Sequence, residues 1–234
     1  MKQMKVLSAL GLLALAGAAH AEVTSSIAVV SDYDFRGFTQ TNNKPALQAS
    51  IDYAHESGWY LGTWASNVDF NTDPNVTGVP APQTEVDLYT GFSGSAGDFG
   101  WDAGIVYYTY NGASGLNFAE IYGKVSYSVV SGALYYSNDF AGSGDGAFYL
   151  SGDLSVPAGP LSLNAHVGFS SGDGIESGYG NVGEDSYIDY GVGVGYSASN
   201  FTVDLKWVGK DFDTGGSDDR ILISVSTSLP WAKE

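Results

Sequence analysis

The chain has 234 residues, no cysteine, 32 glycines and a formal net charge of −17. Acid in such surplus excludes nucleic acid as a partner, because that kind of binding rests on neutralising phosphates with Lys and Arg; an exported chain without cysteine also holds together without disulfides. Beyond the first twenty residues no run is apolar over the ~20 positions that a membrane-crossing helix needs, so contact with a bilayer has to be made by strands.

The chain begins with Lys2 and Lys5, then an apolar run over residues 6–18 that is too short to span, then Ala19-His20-Ala21 with small residues at the two positions a signal peptidase reads. This pattern predicts a cleavable signal peptide over 1–21 and a single mature domain over 22–234. Taking Lys2 and Lys5 from the nine basic residues leaves seven against 26 acidic ones in the mature chain.

Residues 23–40, V-T-S-S-I-A-V-V-S-D-Y-D-F-R-G-F-T-Q, alternate with period two. Val23, Ile27, Val29, Tyr33 and Phe35 share one face of an extended strand, and Asp32, Asp34 and Arg36 the other. A loop over 37–44 leads to a second strand over 45–55, with Leu47, Ala49, Ile51 and Tyr53 against Gln48, Ser50 and Asp52. After the three-residue connection 56–58, a third strand over 59–70 is expected to show Tyr60, Trp64, Val68 and Phe70 on its apolar face. The segment 71–82 carries three prolines and is read as loop, since proline removes a ladder donor. Residues 83–92 set Val86, Leu88 and Phe92 against Glu85 and Asp87, and residues 99–110 set Phe99, Trp101, Ala103, Ile105 and Tyr107 against Asp102.

The second half repeats the scheme. Residues 117–129 place Ile121, Val125 and Tyr127 opposite Glu120 and Lys124; residues 133–140 are apolar on both faces; residues 147–156 place Phe148, Leu150 and Leu154 opposite Asp153. Residues 161–170 alternate most cleanly, with His166 on the polar face between Ser162 and Ser170. The longest loop, 171–186, is acidic and glycine-rich. Residues 187–196 set Ile188, Val192 and Val194 against Asp189, Gly191, Gly193 and Gly195. Residues 201–210 set Val203, Leu205 and Trp207 against Asp204, Lys206 and Lys210, and residues 220–231 set Ile221, Ile223, Val225, Leu229 and Trp231 against serines.

Twelve strands result, with long loops after the odd ones and short turns after the even ones. A Greek-key sandwich has no reason to gather its long connections at one end, whereas an up-and-down outer-membrane barrel does so on an even strand number. Aromatics on the apolar faces cluster near both strand ends (Tyr53, Phe92, Phe99, Tyr127, Tyr196, Phe201 and Trp231; Phe35, Phe70, Phe148 and Phe169), as rings do where headgroups meet hydrocarbon. The expectation is therefore an all-β, antiparallel, up-and-down transmembrane β-barrel in the outer membrane of a Gram-negative bacterium.

At Ser31-Asp32-Tyr33-Asp34-Phe35-Arg36-Gly37, Thr39-Gln40, Pro45-Ala46-Leu47-Gln48 and Trp64-Ala65-Ser66-Asn67-Val68 the sequence resembles the TorF-family porins of proteobacteria. That resemblance implies an outer-membrane barrel with a pore role and carries over no catalytic residue. The chain departs from the habit of ending on an aromatic, since Ala232-Lys233-Glu234 follow Trp231.

The residues expected to line the lumen and set selectivity are Asp32, Asp34, Arg36, Glu85, Asp87, Asp102, Glu120, Lys124, Asp153, Asp189, Asp204, Lys206 and Lys210. Their mixed signs fit either a field that steers ions through an open pore or salt bridges that plug it. The glycines of 191–195 leave room in the lumen or let the sheet curve. Asp211-Phe212-Asp213-Thr214-Gly215 lacks the complete spacing of a calcium loop, and a Ser-His pair at His166 lacks a marked carboxylate and oxyanion donor. The sequence thus predicts no cofactor, no metal and no catalytic site. It predicts a channel for small polar solutes or ions, cation-preferring because acids outnumber bases, with outer-membrane lipid around it. A non-conducting barrel whose loops bind a partner, and an outer-membrane enzyme, stay open as alternatives; a lumen blocked by Arg36 and lysine pairs favours the former.

Overall fold

Alternation between apolar and polar side chains commits each strand to two solvents, and a sheet closed on itself is the arrangement that gives every strand edge a partner. The computed structural model, which describes residues 21–70, 82–179, 183–212 and 219–230, is such a closed antiparallel barrel. Its elements are β1 (Glu22–Val30), β2 (Asp34–Phe35), β3 (Phe38–Thr39), β4 (Ala46–Ala54), β5 (Trp59–Asn67), β6 (Thr84–Ala96), β7 (Phe99–Tyr110), β8 (Phe118–Tyr127), β9 (Val130–Ser137), β10 (Ala147–Ala158), β11 (Leu161–Ser171), α1 (Asp173–Tyr179), β12 (Ser186–Ala198), β13 (Phe201–Lys210) and β14 (Arg220–Leu229). Short 3-10 turns lie at Ser114–Leu116 and Phe140–Gly142.

Twelve strands form the wall, each paired with its sequence neighbour, and β1 closes the ring against β14 through the register Val29 with Val225. β2 and β3 form a separate two-stranded hairpin that is not part of the wall. The long connections gather at one end and the short turns at the other, as the loop lengths predict. The signal-peptide reading of 1–21 falls on residues 1–20, which lie outside those described, as does Trp231.

The outward face is an apolar belt. Val23, Leu47, Ile51, Leu88, Ile105, Ile121, Leu150, Leu163, Val167, Leu205, Ile221 and Ile223 are all exposed there, on β1, β4, β6, β7, β8, β10, β11, β13 and β14. No globular fold leaves apolar area on this scale to water; it is the surface of a body solvated by hydrocarbon. Phe92, Phe99, Tyr127, Tyr196 and Phe201 stand outward near the short-turn end, and Phe148 and Phe169 outward near the other.

The structure corrects the sequence reading in several places. β5 has the opposite parity from that expected: Leu61 faces out, while Tyr60 is buried within the barrel, and Val68 and Phe70 beyond the strand pack inward as well. β9 begins at Val130, three residues earlier than expected, because the reversal is the tight turn at Ser128 and Val129, where Ser128 takes φ 56°; Val130, Leu134 and Tyr136 then face out. The loop 171–186 contains α1. With Gly174 and Gly178 its helical propensity is poor, and it forms because Ile175 and Tyr179 bury into the aromatic cluster at the long-loop end.

The largest difference concerns residues 31–40. The chain leaves the wall after Val30, tied by the Ser31 amide to the Ile223 carbonyl, and turns into the barrel. Asp34 pairs with Thr39 and Phe35 with Phe38 around the two-residue turn Arg36-Gly37, whose φ values of 51° and 85° are both left-handed. Two consecutive positive φ angles define the type I′ turn that matches the twist of a hairpin. Phe35 is consequently buried inside the barrel and is no outward anchor.

Candidate functional site: a hairpin across the lumen

The hairpin is held from two opposite walls. At its base, Arg220 at the start of β14 donates to Asp32 Oδ2, to Asp34 Oδ1 and, at 2.7 Å, to the carbonyl of Gly37. Thr41 also donates to Asp32 Oδ1, at 2.9 Å. At its tip, Arg36 reaches β8, half-way round the ring from β14, and makes a bidentate pair with Glu120: Nη1 to Oε1 at 2.9 Å and Nη2 to Oε2 at 2.7 Å. Both side chains are almost wholly withdrawn from solvent, at 6% and 1% exposure. The guanidinium lies against the rings of Phe35, Tyr135 and Tyr149, at 4.7, 5.1 and 4.3 Å from their centroids, and Tyr108 adds a third bond to Glu120 Oε2 at 3.0 Å. A planar cation with matched bidentate acceptors and aromatic faces is the arrangement in which a buried Arg recovers most of its lost hydration.

Gly37 permits this approach. A side chain there would meet Lys210 Cβ at 2.9 Å and Asp189 Cβ at 3.1 Å, so the tip touches β12 and β13 on a third side. Above the tip, Phe38 stacks on Tyr179 of α1 at 4.0 Å and meets Tyr187 and Phe212 edge-on, with the Lys210 ammonium 4.4 Å from the Phe38 ring centre. The long-loop half of the lumen is thus filled by hairpin, α1 and inward aromatics.

The short-turn half is a polar vestibule. Tyr60 donates to Asp102 Oδ1 at 2.6 Å and shares a bond with Tyr122, Tyr89 donates to Asp52, and Ser50 bonds both Asp52 and Ser26. Lys124 lies over the ring of Tyr122 at 4.8 Å. On the other wall His166 is clamped between Asp153, 2.7 Å from Nδ1, and Asp189, 2.8 Å from Nε2, with the Tyr149 hydroxyl also at Nε2. Its partners are carboxylates and a phenol rather than Ser162 or Ser170, so the hydrolytic pair is not assembled. Asp204 accepts from Ser224 on β14.

All thirteen lumen residues expected from sequence lie on the inner side, but in unlike roles. Glu85, Asp87, Asp102, Glu120, Lys124, Asp153, Asp189, Asp204, Lys206 and Lys210 stand on barrel strands. Asp32, Asp34 and Arg36 do not line β1 as parity suggested; they belong to the inserted segment, where Arg220 and Glu120 neutralise them. The glycines of β12 do not leave free lumen: a Cβ on Gly193 would come within 2.8 Å of the Leu205 carbonyl and Lys206 Cγ, and one on Gly195 within 2.7 Å of Ser162 Oγ and Asp204 Oδ1. Asp211 accepts from the Ile188 amide, and residues 213–215 of the acidic loop lie outside those described. Sequence reasoning missed Arg220, Asp52 and the inward tyrosines 60, 89, 108, 110, 122, 135 and 149. For all but Tyr60 and Tyr135 the signal was available as inward parity on strands whose apolar faces were already assigned; Tyr60 was counted on the apolar face, and the segment of Tyr135 showed no polar face.

Comparison with known proteins bears on this arrangement. Residues 14–225 match the model of a family described as "Bacterial protein of unknown function (Gcw_chp)". The chain belongs to that family. No curated protein matches this Gcw_chp chain in sequence. Among solved structures it is similar to the KdgM porin, with a TM-score of 0.56 at 10% identity over 87% of this chain and 98% of that one, and to the NanC porin, with a TM-score of 0.55 at 10% identity over 87% and 98%. A second KdgM structure, in complex with disordered oligogalacturonate, gives 0.55 at 10% identity over 88% and 98%. At that identity the likeness is one of fold: a twelve-stranded barrel of the outer-membrane porin architecture.

Proposed function

We propose that this Gcw_chp barrel resides in the outer membrane of a Gram-negative bacterium as a non-enzymatic channel for small polar solutes or ions, with the β2–β3 hairpin as its constriction and a preference for cations. The observation that carries the reading is a barrel with an apolar belt outside and an acid-rich inner wall whose two arginines are both engaged, Arg36 with Glu120 and Arg220 with Asp32 and Asp34. Asp102 and Asp52, which stand in the polar vestibule, then set the field, and a low-dielectric wall focuses it on the passage. The porin fold of KdgM and NanC and the resemblance of residues 31–68 to TorF-family porins support the same reading.

Single-channel recording in planar bilayers under a KCl gradient tests it. The expected reversal potential favours K⁺ over Cl⁻, more weakly as salt shortens the Debye length from ~10 Å at 0.1 M to ~3 Å at 1 M, and Asp52→Asn with Asp102→Asn reduces it. Asp34 is a poor target because Arg220 already balances it. An anion-selective potential at low salt overturns the preference.

A second reading has its own observation. The buried Arg36–Glu120 bridge spans the lumen, which favours a closed barrel acting through its outer loops. A wild-type barrel that carries no current, and conducts once residues 32–40 are replaced by a short glycine-serine link, selects that reading.

A further inference from the structure

Glu85 and Asp87 lie two residues apart on the inward face of β6, at 1% and 7% exposure, beside the hairpin. Glu85 Oε1 accepts from Tyr33 of the hairpin at 3.4 Å and from Tyr110 of β7 at 3.3 Å. Glu85 Oε2 and Asp87 Oδ1 are buried and take no hydrogen bond from any other described residue, and the two carboxyl groups lie within hydrogen-bond reach of each other. An uncompensated buried carboxylate is among the costliest features a fold can carry, and here two sit side by side.

Among the described residues no cation balances them. Arg36 is on Glu120, Arg220 on Asp32 and Asp34, Lys44 on Asp69, and His166 between Asp153 and Asp189. Lys124 lies over Tyr122, Lys210 over Phe38, and Lys206 against Gly193 on the β12–β13 wall. The adjoining segment 71–81 contains no Lys, Arg or His.

We infer that Glu85 and Asp87 form a binding site for a divalent cation, held by the orphaned Glu85 Oε2 and Asp87 Oδ1 and completed by water. An all-oxygen carboxylate donor set suits a hard cation of the calcium type. Tyr33 couples the site to the hairpin: its hydroxyl fixes the Glu85 carboxylate by one oxygen and leaves the other for the ion, so occupancy steadies the constriction. The inference rests on the membrane-barrel reading, but not on conduction.

Terbium luminescence tests it, because Tyr33 and Tyr110 touch Glu85 and Trp64 lies 5.3 Å from the Tyr33 ring, near enough to sensitise an ion bound there. Barrel refolded in detergent is titrated with Tb³⁺, then with Ca²⁺ as competitor, and its thermal midpoint is read in Ca²⁺ and in EDTA. The expected result is a saturable, calcium-displaceable signal and a higher midpoint in Ca²⁺. Glu85→Gln and Asp87→Asn should each weaken terbium binding by about 10-fold or more, while in EDTA these isosteres should melt no lower than wild type, since each removes an unbalanced charge. A wild-type barrel with no calcium-displaceable signal and no midpoint shift overturns the inference and means that the two acids share a proton instead. Binding that survives in folded Glu85→Gln and Asp87→Asn barrels overturns it too, by placing the ion on other acids. If the site binds but the pore carries no current, this inference stands and the channel reading falls.

Discussion

Placing one arginine on each face of β13 separates hydrocarbon from lumen most directly. The strand runs from Phe201 at the short-turn end to Lys210 at the long-loop end, so its midpoint lies between Leu205 and Lys206. Leu205 is 46% exposed on the apolar belt; Val203 is on the same face, 40% exposed, and Thr202 faces inward with its hydroxyl 3.1 Å from Ser197. With ~3.3 Å of rise per residue and a tilt near ~40°, each residue advances about 2.5 Å along the membrane normal. Val203 is then about 6 Å from mid-depth, half-way to the edge of an apolar band ~25 Å tall. Leu205→Arg should cost about 2–4 kcal/mol, Val203→Arg about half that, and Thr202→Arg under ~1 kcal/mol, since the penalty falls with distance from the midplane and the lumen is polar. Folding titrations into lipid vesicles with urea read all three. Equal costs for Leu205→Arg and Thr202→Arg, or no depth dependence between residues 203 and 205, would refute an apolar belt set in lipid.

The remaining predictions concern the interior. Arg36→Met leaves Glu120 buried without its cation and should cost about 3–5 kcal/mol in the same titration; adding Glu120→Gln should recover much of it, and failure of the pair to couple would mean that the bridge does not hold the hairpin. Gly193→Ala should cost about 1–3 kcal/mol, because the added carbon meets the Leu205 carbonyl and the Lys206 stem, whereas Gly123→Ala, with open space around its Cβ position, should be near neutral. Gly37→Ala should loosen the hairpin through both its φ of 85° and its contact with Lys210, read as faster proteolysis within residues 31–44 of the folded barrel.

The twelve-stranded architecture was legible because period two, turn spacing and the rhythm of long and short connections are local signals that agree with one another. β5 failed because tyrosine and tryptophan serve either face: Tyr60 and Trp64 look apolar in a parity count, yet inside the barrel Tyr60 bonds Asp102. The hairpin failed for a different reason. S-D-Y-D-F-R-G-F-T continues the alternation of β1 without a break, and only Arg36-Gly37, a turn pair with glycine in its second place, signals that the strand has ended. What draws it inward is tertiary: Glu120 and Arg220 lie 84 and 184 residues further along, and no local pattern announces such partners. The stacking partner of Tyr179 in α1, Phe38, is also remote, 141 residues earlier in the chain.

The hairpin's place in the chain also sets the order of assembly. It hangs from β1, and β1 closes the barrel against β14, the last strand to be synthesised. A finished ring would have to admit the hairpin through its mouth, whereas an open sheet receives it from the side, before the seam shuts. Arg220, at the start of β14, then grips Asp32 and Asp34 as the final strand zips down, so the residue that locks the insert arrives with the strand that seals the wall. Closure joins the two ends of the domain and is the most non-local contact it makes, hence the slowest to form unaided. A barrel lacking Arg220 should therefore seal more slowly, its insert held by the Arg36–Glu120 pair at the tip but not tied to the closing strand, which would be a kinetic defect in biogenesis before it was a loss of stability.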